Sequence, residues 1–347
     1  LRSAAVSLHR PVRVGSLVLP GNLFLAPVAG YSDRAFRSIC RDQGADFTCT
    51  ELISTEALVR DSAKTGQLLR RADNESAYAI QLFGADPDVM ARAVALLAPH
   101  QPQAVDINCG CPVPKVVKTG AGSDLLRHPD RLGRIVEAVV KASAAHLGGV
   151  PVTVKIRSGW DDASLNYRET ARVAVEAGAA LVALHARTRA QAYAGKADWS
   201  HIADLVSRLA VPVVGSGDLF APEDAKRMLE QTGCAAVMFA RGAMGNPFIF
   251  SETRDLLRRG NYASTTPDYR LRTGLRQLEL LIQDVGEAVA CREMRKQFCA
   301  YTKGLPGAAG LRNLLVRATT LQEYRTILNE SGALAPETPD SRSEARV

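Results

Sequence analysis

Residues 211–247 read VPVVGSGDLFAPEDAKRMLEQTGCAAVMFARGAMGNP. A short β-rich run, VPVVG (211–215), leads into a helix-like stretch and then into a second β-rich run, AVMFA (236–240). Strand, helix and strand in that order make a parallel pair, because a crossover must carry the chain back to the same end of the sheet. The unit recurs upstream, with strands FLAPV (24–28), DFTCT (46–50), AIQLF (79–83), AVDIN (104–108), VTVKI (152–156) and LVALH (181–185). Between them lie segments of helical apolar spacing. RLGRIVEAVVKASAAH (131–146) is entered through Pro129 at a first-turn position, and YRETARVAVEAGA (167–179) is closed by Gly178. Eight such units in about 230 residues predict an α/β fold, a closed (β/α)8 TIM barrel. A doubly wound open sheet is the rival; against it, no GxGxxG follows the first strand, where a dinucleotide fold would carry one.

After residue 250 the strand pattern stops. Residues 268–290 put Leu271, Leu275, Leu278, Ile282, Val285 and Val289 on one helical face. Residues 291–325 carry Arg292, Arg295, Lys296, Lys303, Arg312, Arg317 and Arg325 against Glu293 and Glu323 alone. The expected organisation is a barrel over 1–254, a C-terminal helical domain over 255–332 and a disordered tail over 333–347, polar and proline-containing.

The totals agree. The chain has 347 residues, 46% hydrophobic and 5% aromatic, so the core must be mostly Val, Leu, Ala and Ile. The formal charge of +7 points weakly to an anionic partner. Seven cysteines, an odd number in apolar surroundings, read as reduced thiols in a cytoplasmic protein rather than as a disulfide framework. No apolar run approaches the roughly 20 residues of a membrane span, and the first residues lack the apolar core of a secretory signal.

Active groups in such barrels gather at the C-terminal ends of the strands. GSGD (215–218) follows the seventh strand and ARGAMGNP (240–247) the eighth. Glycines there let backbone N–H groups approach a phosphate, and these two loops are the usual phosphate site of the fold. Each motif alone favours a mere tight turn; the pair favours a phosphate-bearing ligand. Gln81, Asn108, Lys155 and His185 close the third to sixth strands, and APVAG (26–30) closes the first. A buried Lys155 needs an anionic partner or a shifted, neutral state. By themselves, His185 reads as a core histidine, and Gln81 with Lys155 as a polar plug. One ligand would use them together: flavin mononucleotide, its phosphate at loops seven and eight and its ring over the mouth. A Schiff-base lyase working through Lys155 uses the same architecture.

DINCGCP (106–112) follows the fourth strand. Alternation turns Asp106 and Asn108 one way, into the barrel, and Val105 and Ile107 the other. Cys109 then faces outward, Gly110 permits a reversal, and Cys111 is lifted above the mouth. Cys111 is therefore the reactive candidate and Cys109 structural. A buried inert thiol is the ordinary fate of a free cysteine. A metal pair lacks two further ligands nearby, so no metal is expected. A thiol of ordinary pKa, near 8.5, stays protonated at neutral pH and can give a proton to an activated double bond.

The chain resembles the tRNA-dihydrouridine synthases, most closely their bacterial B-type branch. The resemblance is carried by APVAGYSDRAFR (26–37), QLFG (81–84), DINCGCP (106–112), VKTGAGSDLL (117–126), VKIRSGWDD (154–162), LHARTRAQAYAGKADW (184–199), GSGD (215–218), RGAMGNPFIF (241–250) and REMRKQFCAYTKGLPGAAGLRNLL (292–315). It implies an FMN-bearing barrel and a helical tRNA-binding domain. NADPH would reduce the flavin, and the flavin the 5,6 double bond of particular uridines. Cys111 stands at the proton-donor position and Asn108 at that of uracil recognition. Pro27, Val28, Ala29, Gln81, Lys155 and His185 match flavin contacts; Ser216, Gly217, Asp218, Ala240 and Arg241 match phosphate and ribityl contacts. Arg187 and Arg189 would lie near the substrate, and Arg292, Arg295, Lys296 and Lys303 would meet the tRNA, with Arg292, Lys296 and Lys303 near one face of a helix. Tyr301 on that helix reads either as a stacking platform for a base or, more simply, as core. Ser216 stands where relatives commonly have Asn, which bears on a side-chain contact near the cofactor; Gln297 and Ala300 stand where His and Trp are common, which bears on how tRNA is held. Competing readings are a flavin reductase of a free pyrimidine or small enone, the lyase, and a non-catalytic tRNA-folding factor.

Overall fold

The structure is a computed structural model and describes residues 7–334. The expected tail falls almost wholly on 335–347, outside the described residues. Eight parallel strands form the barrel: β1 (Leu23–Leu25), β2 (Thr48–Cys49), β3 (Tyr78–Phe83), β4 (Ala104–Cys109), β5 (Val152–Arg157), β6 (Leu181–His185), β7 (Val213–Ser216) and β8 (Ala236–Phe239). Each pairs with the next, β8 pairs β1, and a bridge between Phe24 and Phe47 closes the ring at β1 and β2. All eight expected strands are present, with ends moved by up to three residues.

The two-residue side-chain period builds two cores from the same strands. Outward residues such as Val105, Ile107, Cys109, Val154 and Ile156 pack in the shell shared with the helices. Inward residues are small at the N-terminal end, with Ala79, Ala104, Ala183, Val214 and Ala236 in one inner cluster. Two residues further on, four of these strands turn polar: Gln81, Asp106, His185 and Ser216 lie on the inward face, Thr153 and Lys155 follow the same alternation on β5, and β8 alone stays apolar with Met238. The barrel is thus apolar at its floor and polar at its mouth.

An antiparallel hairpin, Val12–Val14 with Leu17–Leu19, precedes the barrel. Its Val12, Val14 and Leu19 join the inner cluster with Phe24 and Phe47, so it stoppers the N-terminal end. The sequence signal was the alternating VRV and LVL around Gly15-Ser16, with Gly15 at φ +56°.

The helices that follow the strands include α1 (Arg34–Asp42), α2 (Pro87–Ala95), α3 (Pro129–His146), α4 (Tyr167–Glu176), α5 (Ser200–Arg208), α6 (Pro222–Thr232) and α7 (Ile249–Arg259). The expected boundary between 254 and 255 would cut α7 in half. Its Ile249, Phe250 and Leu257 belong to the barrel shell, and the first compact unit runs to Tyr262, leaving out only Met244–Pro247.

The second unit holds those four residues and the chain from Ala263. Its helices are α8 (Pro267–Val285), α9 (Glu287–Tyr301), α10 (Ala308–Leu315) and α11 (Leu321–Glu330). Thr266 caps α8 by accepting from the Tyr269 N–H. The single helical face expected over 268–290 is broken at Gly286, whose φ of +78° ends α8 and puts Val289 on α9. Phe298 stacks on Tyr324 with centroids 4.8 Å apart. Tyr301 is fully buried and donates to Gln277 Oε1 at 2.8 Å, so it is a core residue and not a stacking platform. Among the described residues no helix is long and apolar enough to cross a membrane.

Candidate active site at the barrel mouth

Cys111 sits on the loop after β4, half-buried, while Cys109 is fully buried in the outer shell. The Asn108 side chain makes this turn. Its Oδ1 accepts from the Gly110 N–H at 3.2 Å and the Cys111 N–H at 2.9 Å. Burial pushes the Cys111 thiol above its usual pKa, against the Val113 N–H, Arg157 and Lys155, which favour the thiolate. The thiol therefore holds its proton at neutral pH and can donate it.

Below it stands a column of side chains. Asn108 Nδ2 donates to Gln81 Oε1 at 2.8 Å, and Gln81 Nε2 donates to Asp106 Oδ2 at 2.7 Å. Thr153 Oγ1 donates to Asp106 Oδ1. Gln81 is completely buried; one amide hydrogen and one lone pair are what remain to it for a ring. Gln81 is thus bonded to Asp106 and Asn108, and the polar plug with Lys155 does not form.

Lys155, beside Asn108 in register, makes no hydrogen bond or ion pair with any described residue. Burial, with Arg157 adding to it and Asp106 opposing, lowers its pKa to about 8. It remains mostly charged at neutral pH, an unpaired cation at the polar end of the barrel. His185 is driven down to about 2, first by burial and then by Lys155, Arg157, Arg187 and Arg241, so it is neutral. That cluster of cations makes the mouth an anion site.

Arg187, expected near the substrate, has a side chain only 1% exposed. It donates to the Ala194 and Gly195 carbonyls and, at 2.7 and 2.8 Å, to Asp218. The Asp218 carboxylate, expected among phosphate and ribityl contacts, is spent on Arg187 and on the Ala197 N–H at 2.8 Å. Burial alone would raise its pKa, and these partners more than offset that. What Asp218 retains for an anion is backbone: Gly217 and Asp218 take successive positive φ values of +120° and +56°. Ser216 donates its hydroxyl to the Met238 carbonyl at 3.1 Å.

Arg241, on the half-buried turn after Ala240, lies 3.5 Å from Asp218. Its guanidinium stands over the rings of Tyr193 (4.6 Å) and Phe220 (5.1 Å), both about half exposed. Arg189 lies over Trp160 at 4.5 Å, as Arg127 does at 4.0 Å. At the end of β1, Pro27 and Val28 are half-buried and Ala29 is exposed. The Val28 N–H is bonded to the Ser32 hydroxyl at 2.9 Å, so the turn is closed on itself.

Sequence reasoning passed over Arg157, which donates to the carbonyls of Gly110, Thr188 and Ala192 and ties the loops after β4 and β6 together. The signal was its place two residues after Lys155, on the same face. It also gave Asp106 a direction but no task.

In the second unit Arg292 and Lys303 are exposed, and Arg295 and Lys296 half-buried. Lys303 does not share a helical face with Arg292 and Lys296: α9 ends at Tyr301, and Gly304 follows at φ +79°. Lys296 pairs with Glu293 at 3.0 Å. Gln297 is 2% exposed, so this departure from the family pattern lies in the core and not on a contact surface. No group of metal-binding side chains occurs among the described residues.

A family model described as dihydrouridine synthase (Dus) matches residues 24–335. The chain is 53% identical over 330 residues to a probable tRNA-dihydrouridine synthase of Treponema pallidum, covering 94% of this chain and 97% of that one. It is 37% identical over 302 residues to tRNA-dihydrouridine synthase B of Pseudomonas aeruginosa, covering 87% and 90%. Among solved structures, the old yellow enzyme homologue of Zymomonas mobilis superposes with TM-score 0.53 at 13% identity, over 75% of this chain and 95% of that one. Histamine dehydrogenase from Rhizobium superposes with TM-score 0.55 at 15% identity, over 79% and 51%. These two show a shared barrel fold.

Proposed function

The chain belongs to the dihydrouridine synthase family and stands with its B-type members, and on that premise we propose that it reduces the 5,6 double bond of particular uridines in tRNA, carrying electrons from NADPH on FMN. The observation that carries this reading is a protonated, half-buried thiol, Cys111, turned out at the mouth of a barrel that holds the unpaired cation Lys155.

The residues present suit FMN. An unpartnered ammonium, the backbone turn at Gly217 and Asp218, and the partly exposed Arg241 are donors for an anionic ring and a phosphate. No side chain at loops seven and eight opposes the phosphate, because the Asp218 carboxylate is neutralised by Arg187. Bound there, the flavin supplies hydride. Lys155, charged at neutral pH, favours negative charge on the ring. Asn108 keeps one amide hydrogen free of its bond to Gln81 and gives it to a uracil carbonyl. Cys111 delivers a proton to carbon 5 as hydride reaches carbon 6, and the thiolate left behind regains its proton from solvent. One NADPH is oxidised for each uridine reduced.

Pro27, Val28, Ala29, Gln81, His185, Ser216 and Ala240 complete the ring and ribityl surroundings in this reading. Arg189 and the cations Arg292, Arg295, Lys296 and Lys303 engage tRNA phosphates, the last four from a helical tRNA-binding domain beginning after Tyr262. Reduced cysteines and a tRNA substrate suit a cytoplasmic enzyme.

The test is direct. Purified protein should release FMN on denaturation, and with NADPH and tRNA should add two hydrogens to a uridine, read by nuclease digestion and mass spectrometry. A protein without flavin, or equal activity on free uridine at physiological salt, overturns the proposal. Borohydride trapping of a substrate on Lys155 would instead favour the lyase.

A further inference from the structure

The column beneath Cys111 has a direction, and both of its ends determine it. At the top, the Gly110 and Cys111 backbone N–H groups can only donate, so the Asn108 atom facing them must be Oδ1. Its Nδ2 then points to Gln81 and requires an acceptor there. At the bottom, an ionised Asp106 can only accept, so the Gln81 atom facing it must be Nε2, which turns Oε1 toward Asn108. The two assignments meet at the Asn108–Gln81 bond and agree. Thr153 adds a second donor to the carboxylate from the neighbouring strand. All four side chains are more than nine-tenths buried, so water does not compete for these bonds.

We infer that Asp106 is a positioning residue for the uridine-reducing step: as the acceptor at the foot of the column it sets the orientation of the Gln81 and Asn108 amides, and through them the seat of Cys111 and the donor that Asn108 shows to substrate. This rests on the function proposed above. The carboxylate makes no hydrogen bond to the thiol's loop; its partners are Gln81 and Thr153. Its effect passes through two amides, each of which can turn over with little steric cost. Were the foot of the column unable to accept, Gln81 could turn its oxygen downward and its nitrogen toward Asn108. Asn108 would then face a donor at Gln81 and two N–H groups at the loop, with a single oxygen to satisfy both sides. One contact would be lost, and the loop that carries Cys111 would be held less firmly.

The test separates the two halves of the catalytic cycle. Asp106→Leu keeps roughly the shape and removes the acceptor from the foot of the column. In the flavin-loaded variant, reduction of the flavin by NADPH, followed by absorbance in a stopped-flow instrument, should change by no more than about threefold, the effect of a disturbed Gln81 contact to the ring. Reoxidation by tRNA should slow by at least about tenfold, the order expected when a reacting group is displaced by a fraction of an ångström. Thr153→Ser is the second variant, needed because a buried change can cost folding. It removes a buried methyl group and keeps the hydroxyl that donates to Asp106, so the carboxylate remains an acceptor. Its reoxidation by tRNA should remain within about threefold of wild type. Asp106→Leu loaded with flavin and reoxidised at the wild-type rate overturns the inference. So does a tenfold loss in flavin-loaded Thr153→Ser, which would mean that the column acts by packing alone. Failure of the wild-type enzyme to be reoxidised by tRNA is a different result, and sinks the proposed function.

Discussion

Two thiols two residues apart have opposite surroundings. Cys109 is buried without exposure in the outer shell, where burial raises its pKa far above the usual value. Cys111 stands half-buried on a turn made by Asn108. Cys111→Ala should lower tRNA reduction by ~10²–10⁴-fold, the usual worth of a general acid, and leave tRNA affinity unchanged in a filter-binding assay. Cys109→Ala should stay active and lose about 1 kcal/mol of stability for its small buried cavity. A folded, flavin-loaded but inactive Cys109→Ala would reverse the assignment. Lys155 tells a second story at this scale. Its folded-state pKa of about 8 lies below the ordinary 10.5. Between those values the unfolded chain holds more protons than the folded one, so this group makes stability rise as pH rises through the window. Below it, the folded protein bears the full cost of a buried unpaired charge. Flavin-free Lys155→Met should therefore be more stable than wild type at pH 7 in urea denaturation, with the gap narrowing as pH passes 8. The same variant should bind flavin more weakly. A Lys155→Met protein less stable than wild type at pH 7 would show that the ammonium has a partner in solution.

The strand ends show what can be read along a chain and what cannot. Alternation along AVDIN put Asp106 and Asn108 inside and Cys109 outside, because a two-residue period belongs to one strand. That Asp106, Gln81 and Asn108 bond to one another was not legible, since it depends on the register of β3 against β4. The pairing of Arg187 was not legible for a similar reason. Its partner Asp218 lies 31 residues on, in the loop of the next strand, and buries the guanidinium. Gly286 was missed because apolar spacing continues across it while the backbone turns. The loop after β7 was read as a glycine turn open to a phosphate, and its geometry makes a prediction. A Cβ on Gly217 would lie 2.7 Å from the Ala197 Cβ and 3.2 Å from His185 Cδ2, at a φ of +120° that side chains rarely adopt. Gly217→Ala should force Ala197 and His185 apart and cost at least about 1 kcal/mol. It should also lower flavin content on purification. Wild-type flavin content would mean that this loop does not hold the phosphate.

At the scale of the whole molecule, charge is distributed unevenly: residues 291–325 hold seven basic residues and two acidic ones, in a chain whose net charge is +7. A basic run is ordinarily just a solvated surface, so its size alone argues little. Its local partners argue more. Lys296 is tied to Glu293, and part of its charge is already offset. Arg292 and Lys303 are exposed, and among the described residues no acidic side chain lies within ion-pair distance of either. A cation that neutralises a phosphate releases a counterion, which makes binding steeply dependent on salt. If this unit tracks a tRNA backbone, Arg292→Ala and Lys303→Ala should each flatten the log–log dependence of tRNA affinity on salt by about 0.7–0.9. Lys296→Ala should flatten it less, because Glu293 competes for the ammonium. Flavin reduction by NADPH should not change in any of the three, since that half-reaction needs no nucleic acid. Titrations of tRNA between low and physiological salt, with the stopped-flow rates measured on the same preparations, distinguish the outcomes. Unchanged salt slopes for both Arg292→Ala and Lys303→Ala would assign the basic run to solvent and move the tRNA contacts elsewhere. The cations of the barrel loops, Arg189 and Arg127 over Trp160, would then be the next to neutralise.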